Sequence, residues 1–524
     1  MTNPIAVLNV LLLLAAALAQ PLSTQALEVG DRKQLFIDHR FIESSDGITL
    51  RMNPPYQTGE PLVVVDQPWE KGANIHVYCS VMKEEDPDGV RIRLWYDLYT
   101  GAGRPGQGFR ALCYAESKDG IRFRKPILGL VEKDGSRENN LVMPTDLSVM
   151  TVGGGSVARD DNPAAPAEKR YRSWSKLYTV PGTRRGGNAF WYSQDGLRWH
   201  LEETLPTGLR AADTQPNWFW DPTIGRYRGY SREVHPRMVG YNESDDMTHW
   251  ENFEIVLLPD ARDLAPLVDF LPRRQQSRAS ERAHQVETVF GPGYTVVGPL
   301  SLDFYGTGVF RYAEAQDAYF AMIPIYYHYR HLHPTTADVQ LAASRDGRNF
   351  LRLGERQSFL RLGHAGSFGS KWVWGMPRPI RMGNEIWIYY VGINWDHASR
   401  VDPVPGGRRS AVSRAVLRLD GFVSADAGYR GGWLATPLIR FAGSRLELNL
   451  DTSAGGEALV EIQDPQGRPI PGFALEDADP MNGNNVAFPV SWKGHSDVSA
   501  LAGREIRLHI RLRNSKLYAF QFVR

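Results

Sequence analysis

The amino-acid sequence predicts an all-β fold, a five-bladed β-propeller followed by a C-terminal β-sandwich, on three observations. A closing turn recurs as Ser117-Lys118-Asp119-Gly120 with Phe123, Ser193-Gln194-Asp195-Gly196 with Trp199, Ser244-Asp245-Asp246 with Trp250, and Ser344-Arg345-Asp346-Gly347 with Phe350. Short polar side chains in such turns bond the turn amides, and the aromatic ring that follows packs between sheets. Each turn is preceded by an aromatic strand, such as Arg93-Leu94-Trp95-Tyr96, Tyr171-Arg172-Ser173-Trp174, Tyr227-Arg228-Gly229-Tyr230 or Tyr319-Phe320-Ala321-Met322. A fifth strand, Ile386 to Tyr390, leads to a degenerate close at Ser413 to Gly421. Finally, 11% aromatic residues with 50 Gly and 34 Pro suit an all-β protein rich in tight turns. Units of about fifty or more residues that cannot bury their faces alone must stack on neighbours, as propeller blades do.

In chain order, Ile5 to Ala19 is an apolar run too short to span a bilayer comfortably, and small residues follow at Ala17-Leu18-Ala19 and Ala26. It reads as a signal peptide over residues 1–26, which implies a secreted or periplasmic protein. The segment before it lacks Lys and Arg, so an uncleaved anchor is the alternative. Lys33 to Ser44 reads as a strand near the start of a propeller covering residues 33–430, with Asp38 opposite its apolar neighbours, serving as closure or sitting at the funnel. Blades follow at about 74–126, 149–205, 213–258, 303–353 and 371–423. The charged interruption from Pro259 to Pro299 reads as a rim insertion with partly helical pattern. Short alternating strands separated by Gly, Pro, Asn and Asp then give a sandwich over 432–524. It serves either as a packing module or as an independent carbohydrate-binding one.

At 524 residues the chain exceeds one ordinary core, so two domains are expected. The 60 Lys and Arg against 59 Asp and Glu, a formal charge of +1, give no global reason to expect nucleic acid or a membrane as partner. Arg184-Arg185, Arg273-Arg274 and Arg408-Arg409 are compatible with an acidic or sulfated glycan, solvated surface charge being the plainer reading. Cys79 and Cys113, the only cysteines, fall in strands of the first blade and read as buried thiols rather than a bridge. His328, His331 and His333 lack metal-ligand spacing, so no metal is expected. No phosphate loop in a strand-to-helix setting and no G-x-S-x-G elbow occurs, and no cofactor is expected. Oligomeric state is not readable.

Propellers gather function on their axis, where inner strands converge. The candidates there are His76, Asp213 with Asn217, Asp303 with Tyr305, and Trp372 with Trp374, while Arg232, His328 and Asp338 are placed around the same funnel. Two carboxylates before the inner strands of adjacent blades, Asp213 and Asp303, with no fixed cationic partner in sequence, are what acid/base or nucleophilic work on a glycosidic bond requires. Asp38 is the third carboxylate. The structural alternative for each is a turn cap, and for Arg232 and Asp338 an internal ion pair.

The turns Y-A-E-S-K-D-G-I-R-F, F-W-Y-S-Q-D-G-L-R-W and A-S-R-D-G-R-N-F, with a sandwich after the propeller, resemble the superfamily of five-bladed glycoside hydrolases that includes families 32 and 43. The likeness extends over residues 33–524, and the chain is also similar to a large group of secreted bacterial proteins. The superfamily's W-M-N-D-P-N-G, R-D-P and E-C-P stretches have no match, and Trp220-Asp221-Pro222 falls at a turn. Site residues are therefore assigned by position. The resemblance implies a hydrolase of poly- or oligosaccharides acting through axial carboxylates, with sugars stacked on Trp372, Trp374 and Tyr305. A non-catalytic carbohydrate-binding propeller is the alternative.

Overall fold

The computed structural model describes residues 25–87, 89–100, 109–145, 151–178, 188–203, 206–209, 214–233, 237–260, 262–263, 301–328, 336–395, 404 and 406–524. Most of the expected signal segment, Asp213 and most of the 259–299 insertion lie outside them. Among the described residues no helix is long and apolar enough to cross a membrane. The chain divides into two compact units, one of residues 52–422 and one that joins the segment up to residue 51 to residues 423–524.

The first unit holds five antiparallel meanders among the described residues, each running from an inner to an outer strand. Blade I runs from Asn74–Ile75 and Ser80–Asp86 through Gly89–Tyr99 and Arg110–Ser117 to Leu141–Met143, and blade II from Thr151–Arg159 through Tyr171–Tyr178 and Asn188–Ser193 to His200–Leu201. Blade III comprises Asn217–Asp221, Arg226–Arg232, Val239–Ser244 and Glu251–Leu257. Blade IV begins at Ser301–Phe304 and Val309–Arg311, continues through Tyr319–His328 and Thr336–Ser344, and ends at Leu351–Arg352 and Ser358–Leu360. Blade V takes Trp372–Gly375 and Ile380–Met382, then Glu385–Ile393 and Ser410–Arg418, and its outer strand is Tyr56–Gln57 from the start of the unit. That last pairing, Gln57 to Ala415 and Tyr56 to Val416, fastens the two ends of the unit together.

Local chemistry explains the repeated turn. In Ser344 to Asn349 the Ser344 hydroxyl accepts the Gly347 amide at 2.9 Å and donates to Asp346, whose Oδ1 accepts the amides of Arg348 and Asn349 at 2.8 Å each. The turns at Ser117, Ser193 and Ser244 repeat the pattern. The aromatic ring of each turn then packs inward. Trp250 lies over Gly229 of its own blade, where an added Cβ would stand 2.5 Å from the ring, and reaches Trp174 of blade II at 5.8 Å.

Lys33 to Ser44 departs from the expectation of a propeller strand. Gln34–Leu35 pairs with the C-terminal strand Ser515–Val523, and Phe36 and Phe41 pack on Phe520 at 5.9 and 5.2 Å. This segment belongs to the second unit because its buried run, Leu35 to Ile37 and Phe41, completes that unit's core. There, one sheet orders Asn484–Pro489, Arg445–Asp451, Ser515–Val523, Val423–Ala427 and Ile48–Met52. The other orders Ser44–Asp46, Gly432–Ala435, Arg507–Arg513 and Glu457–Gln463. Alternating residues of both sheets, Leu446, Leu448 and Leu450 with Val460, Ile462, Leu508 and Ile510, form one apolar layer.

Candidate functional site

The inner strands of the propeller start at one end of the axis, and there the second strand of each blade ends and the third begins. Polar ties close the axis at this level. Gln215 Nε2 donates to Gly155 O at 3.0 Å and Cys79 O at 3.1 Å, so one amide links blades I, II and III. Asn217 Oδ1 accepts from the Thr307 hydroxyl at 2.8 Å and the Val309 amide at 3.2 Å, which joins blades III and IV. Asn217, expected to bind substrate, is buried in this seam and committed to it.

Aromatic rings lie alongside. Trp374 sits edge-on to Tyr78 at 5.4 Å and to Tyr305 at 6.0 Å, and Trp372 stands 5.3 Å from both Tyr305 and Tyr326. A Cβ on Gly306 would stand 2.2 Å from the Trp374 ring, so the backbone must be bare there. The two tryptophans are buried among other rings, at 3% and 1% exposure. The sequence reading made them sugar platforms; here their surfaces are spent on one another and on tyrosines, and they serve as a floor. Tyr305, at 8%, is packed almost as fully.

Charged side chains from four blades gather on this floor. In blade I, Arg110 grips Asp97 with its guanidinium, Nε lying 2.9 and 3.0 Å from the two carboxylate oxygens, and its Nη2 meets His76 Nδ1 at 3.2 Å. Burial pushes the Asp97 carboxyl up against the pull of Arg110 and of the Gly154 amide. His76, 28% exposed at its side chain, is the accessible member. In blade III, Arg237 Nη1 donates to Asp303 Oδ2 at 2.5 Å, and Arg232 and Arg237 both lie on the Tyr305 ring, 4.8 and 4.9 Å from its centre. Arg110 lies on the Tyr78 ring at 5.2 Å. In blade II, burial pushes the Lys176 ammonium pKa down, and the neighbouring Arg232 and Arg110 push it further. Burial, with Arg237 adding, likewise lowers Arg232 against the favourable tyrosines Tyr78 and Tyr305. Glu233 turns to the opposite side of its strand, where its carboxylate would meet a Cβ on Gly240.

The candidate carboxylates fare differently. Asp303 reaches the axial cluster, but with Arg237 as partner rather than without a cation. Asp38 is not axial: it lies in the second unit, where its carboxylate caps a short 3-10 turn by accepting the Arg40 amide at 3.0 Å. Asp213 lies outside the described residues. Asp338 stays within blade IV, accepting from the hydroxyls of Ser358 and Tyr327, and burial pushes its pKa up against them. His328 ends a blade IV strand, and its side chain lies outside the description.

Arg110, Lys176 and Arg237 escaped the sequence reading, which drew its leading candidates from the inner strands. For Lys176 a signal was present. Trp95 and Asp97, Trp174 and Lys176, Tyr230 and Arg232 repeat an aromatic residue followed two positions later by a charge, at one register of three second strands. Period two puts both on one face, so the charge emerges where the aromatic seam ends at the axis.

No protein-family model matches the chain, and no curated protein sequence does. Among solved structures it is similar to an N-acetylgalactosamine deacetylase from F. plautii in complex with blood group B trisaccharide, at 14% identity over 71% of this chain and 96% of that one, TM-score 0.42. It is also similar to a β-1,2-mannobiose phosphorylase from Listeria innocua, at 10% identity over 70% and 97%, TM-score 0.41. A GH32 β-fructofuranosidase from Bombyx mori matches at 12% identity over 90% and 95%, TM-score 0.40.

Proposed function

We propose that the chain is an exported glycoside hydrolase whose axial site cleaves a poly- or oligosaccharide. The observation that supports this reading is the meeting of Asp303, His76 and their arginine partners with the Tyr78, Tyr305 and Trp374 rings at one end of the axis. Asp303, held by Arg237, is the carboxylate placed for a nucleophile or a base. Arg110 can only donate, so its contact with His76 Nδ1 leaves the ring proton on Nε2, where it can hydrogen-bond a sugar oxygen. Asp97, fully buried behind Arg110 and His76, orients that pair rather than touching sugar. The apolar run at residues 5–19 supports export.

A second reading is a non-catalytic glycan-binding propeller, favoured by the closeness of the Arg237–Asp303 pair, which shields the Asp303 carboxylate. Release of reducing ends from plant, algal and microbial glycans by the wild type and by Asp303→Asn decides between them. Hydrolysis that falls about a hundredfold or more in the variant, at unchanged melting temperature, supports the enzyme. Glycan binding without cleavage supports the second reading.

A further inference from the structure

We propose that the second unit carries a glycan-binding site of its own, in which a sugar ring lies on Trp433 with its hydroxyls shared between Asp46 and Arg511. The inference goes beyond the axial reading and uses none of its residues, since every group named belongs to the second unit.

The site stands on the outer face of the sheet that orders Ser44–Asp46, Gly432–Ala435, Arg507–Arg513 and Glu457–Gln463. Leu434, Leu508, Ile510 and Leu512 are buried in the core, so period two sends Trp433, His509, Arg511 and Arg513 to the other side. Trp433 pairs with Asp46 on one neighbouring strand and with Arg511 on the other. Directly opposed residues of antiparallel strands share a face, so the indole stands between a carboxylate and a guanidinium. These three, with Arg430, Glu457 and Arg513, line a pocket of about 400 Å3, and His509 backs the indole at 5.3 Å.

The chain entering the strand shapes the rim. The amides of Gly431, at φ 83°, and of Asn514 both donate to Gly428 O at 2.9 Å, and this tight turn presents Arg430 to the pocket and leaves Tyr429 76% exposed. Arg513 lies 6.0 Å from the Tyr429 ring, which sets a second aromatic face beside the pocket. Gly432 must be bare, because a Cβ there would stand 2.6 Å from the Asp46 carbonyl.

The lining selects its ligand. A carboxylate accepts hydrogen bonds and a guanidinium donates them, and both Asp46 and Arg511 are exposed. Sugar hydroxyls do both, so neighbouring hydroxyls of one ring satisfy the two groups while its C–H groups cover the negative face of the indole. An apolar ligand would strip water from both charges and replace it with nothing. A bare anion would suit Arg430 and Arg511 but meet the Asp46 and Glu457 carboxylates. A peptide that adds as a strand needs a sheet edge, and Trp433 stands on an inner strand.

A screen by affinity electrophoresis tests this, with xylan, laminarin, mannan or polygalacturonate in the gel and the full chain carrying Asp303→Asn so that the polymer is not cut. At least one polymer should retard the protein. Adding Trp433→Ala should weaken the apparent affinity about tenfold or more, and Trp433→Phe should recover part of it. Asp46→Ala, at an exposed position, should weaken it about threefold or more, which keeps the test available if Trp433→Ala does not fold. Retardation by no polymer, or equal retardation with and without these substitutions, overturns the inference and leaves the axial reading to the release of reducing ends by the wild type. Retardation by polygalacturonate alone, erased by salt, would show a bare anion site and overturns it as well.

Discussion

The Tyr319 hydroxyl of blade IV donates to Asp221 Oδ2 of blade III at 2.7 Å, and Arg228 of blade III donates to the same oxygen at 2.6 Å. Asp221 also caps its own turn through the Thr223 amide. The arrangement repeats around the ring. Tyr227 bonds Asp160 at 2.8 Å beside Arg172, and Tyr171 bonds Glu84 beside Arg93. In Tyr171-Arg172 and Tyr227-Arg228 the strand alternation sends the tyrosine back to the preceding blade and the arginine forward to its own carboxylate.

Removing one latch should loosen the ring without touching the axis. Tyr319→Phe deletes a buried donor and leaves Asp221 with less than its full set of partners, at a cost of about 1 to 3 kcal/mol. A lowered melting temperature with unchanged glycan binding is expected, measured by calorimetry. An unchanged melting temperature would show that the latch contributes nothing to stability.

The turn aspartates predict an acid response. Backbone amides of Arg122 and Ile121 hold the Asp119 carboxyl at about 2. For Asp246 and Asp346 burial works upward, but amides of the following residues outweigh it and leave both at about 2. An unfolded Asp titrates near 3.9. These folded values are depressed, so their stabilisation is present above about pH 4 and is lost as pH falls toward 2. Asp346→Asn keeps the acceptor oxygen and removes the titration. Its unfolding free energy should fall less steeply between about pH 4 and 2 than that of the wild type; parallel curves would contradict this.

Gly229→Ala should destabilise the seam between blades II and III. The new methyl would stand 2.5 Å from the Trp250 ring, which Trp174 and Phe190 hold from the other side at 5.8 and 6.1 Å. Overpacking of this kind costs about 1 to 3 kcal/mol. Denaturant unfolding measures it, and a midpoint equal to that of the wild type would mean that the ring moves freely.

Both cysteines are free and buried, and burial raises their thiol pKa values. The native protein should therefore show no fast reaction with a thiol reagent at neutral pH, and two equivalents after denaturation.

The turns and strands were readable because their chemistry is local: a Ser hydroxyl, an Asp carboxylate and the next few amides settle each turn wherever it stands. Which charges meet at the axis depends instead on ring closure. Arg110, Lys176 and Arg237 lie in different blades, far apart in the chain, and each alone reads as a surface cation. The closing strand Tyr56–Gln57 is two residues long, too short to show a period. Asp38 misled because its neighbours alternate as in an ordinary strand, while their partner, Ser515–Val523, stands at the other end of the chain.

The most direct test of the axial account is a crystal structure of the protein with an oligosaccharide that the binding screen selects. The account predicts a sugar at the axial end of the propeller, hydrogen-bonded to Asp303 or His76. A sugar bound only to the outer strands of the blades, or only to the second unit, would contradict it.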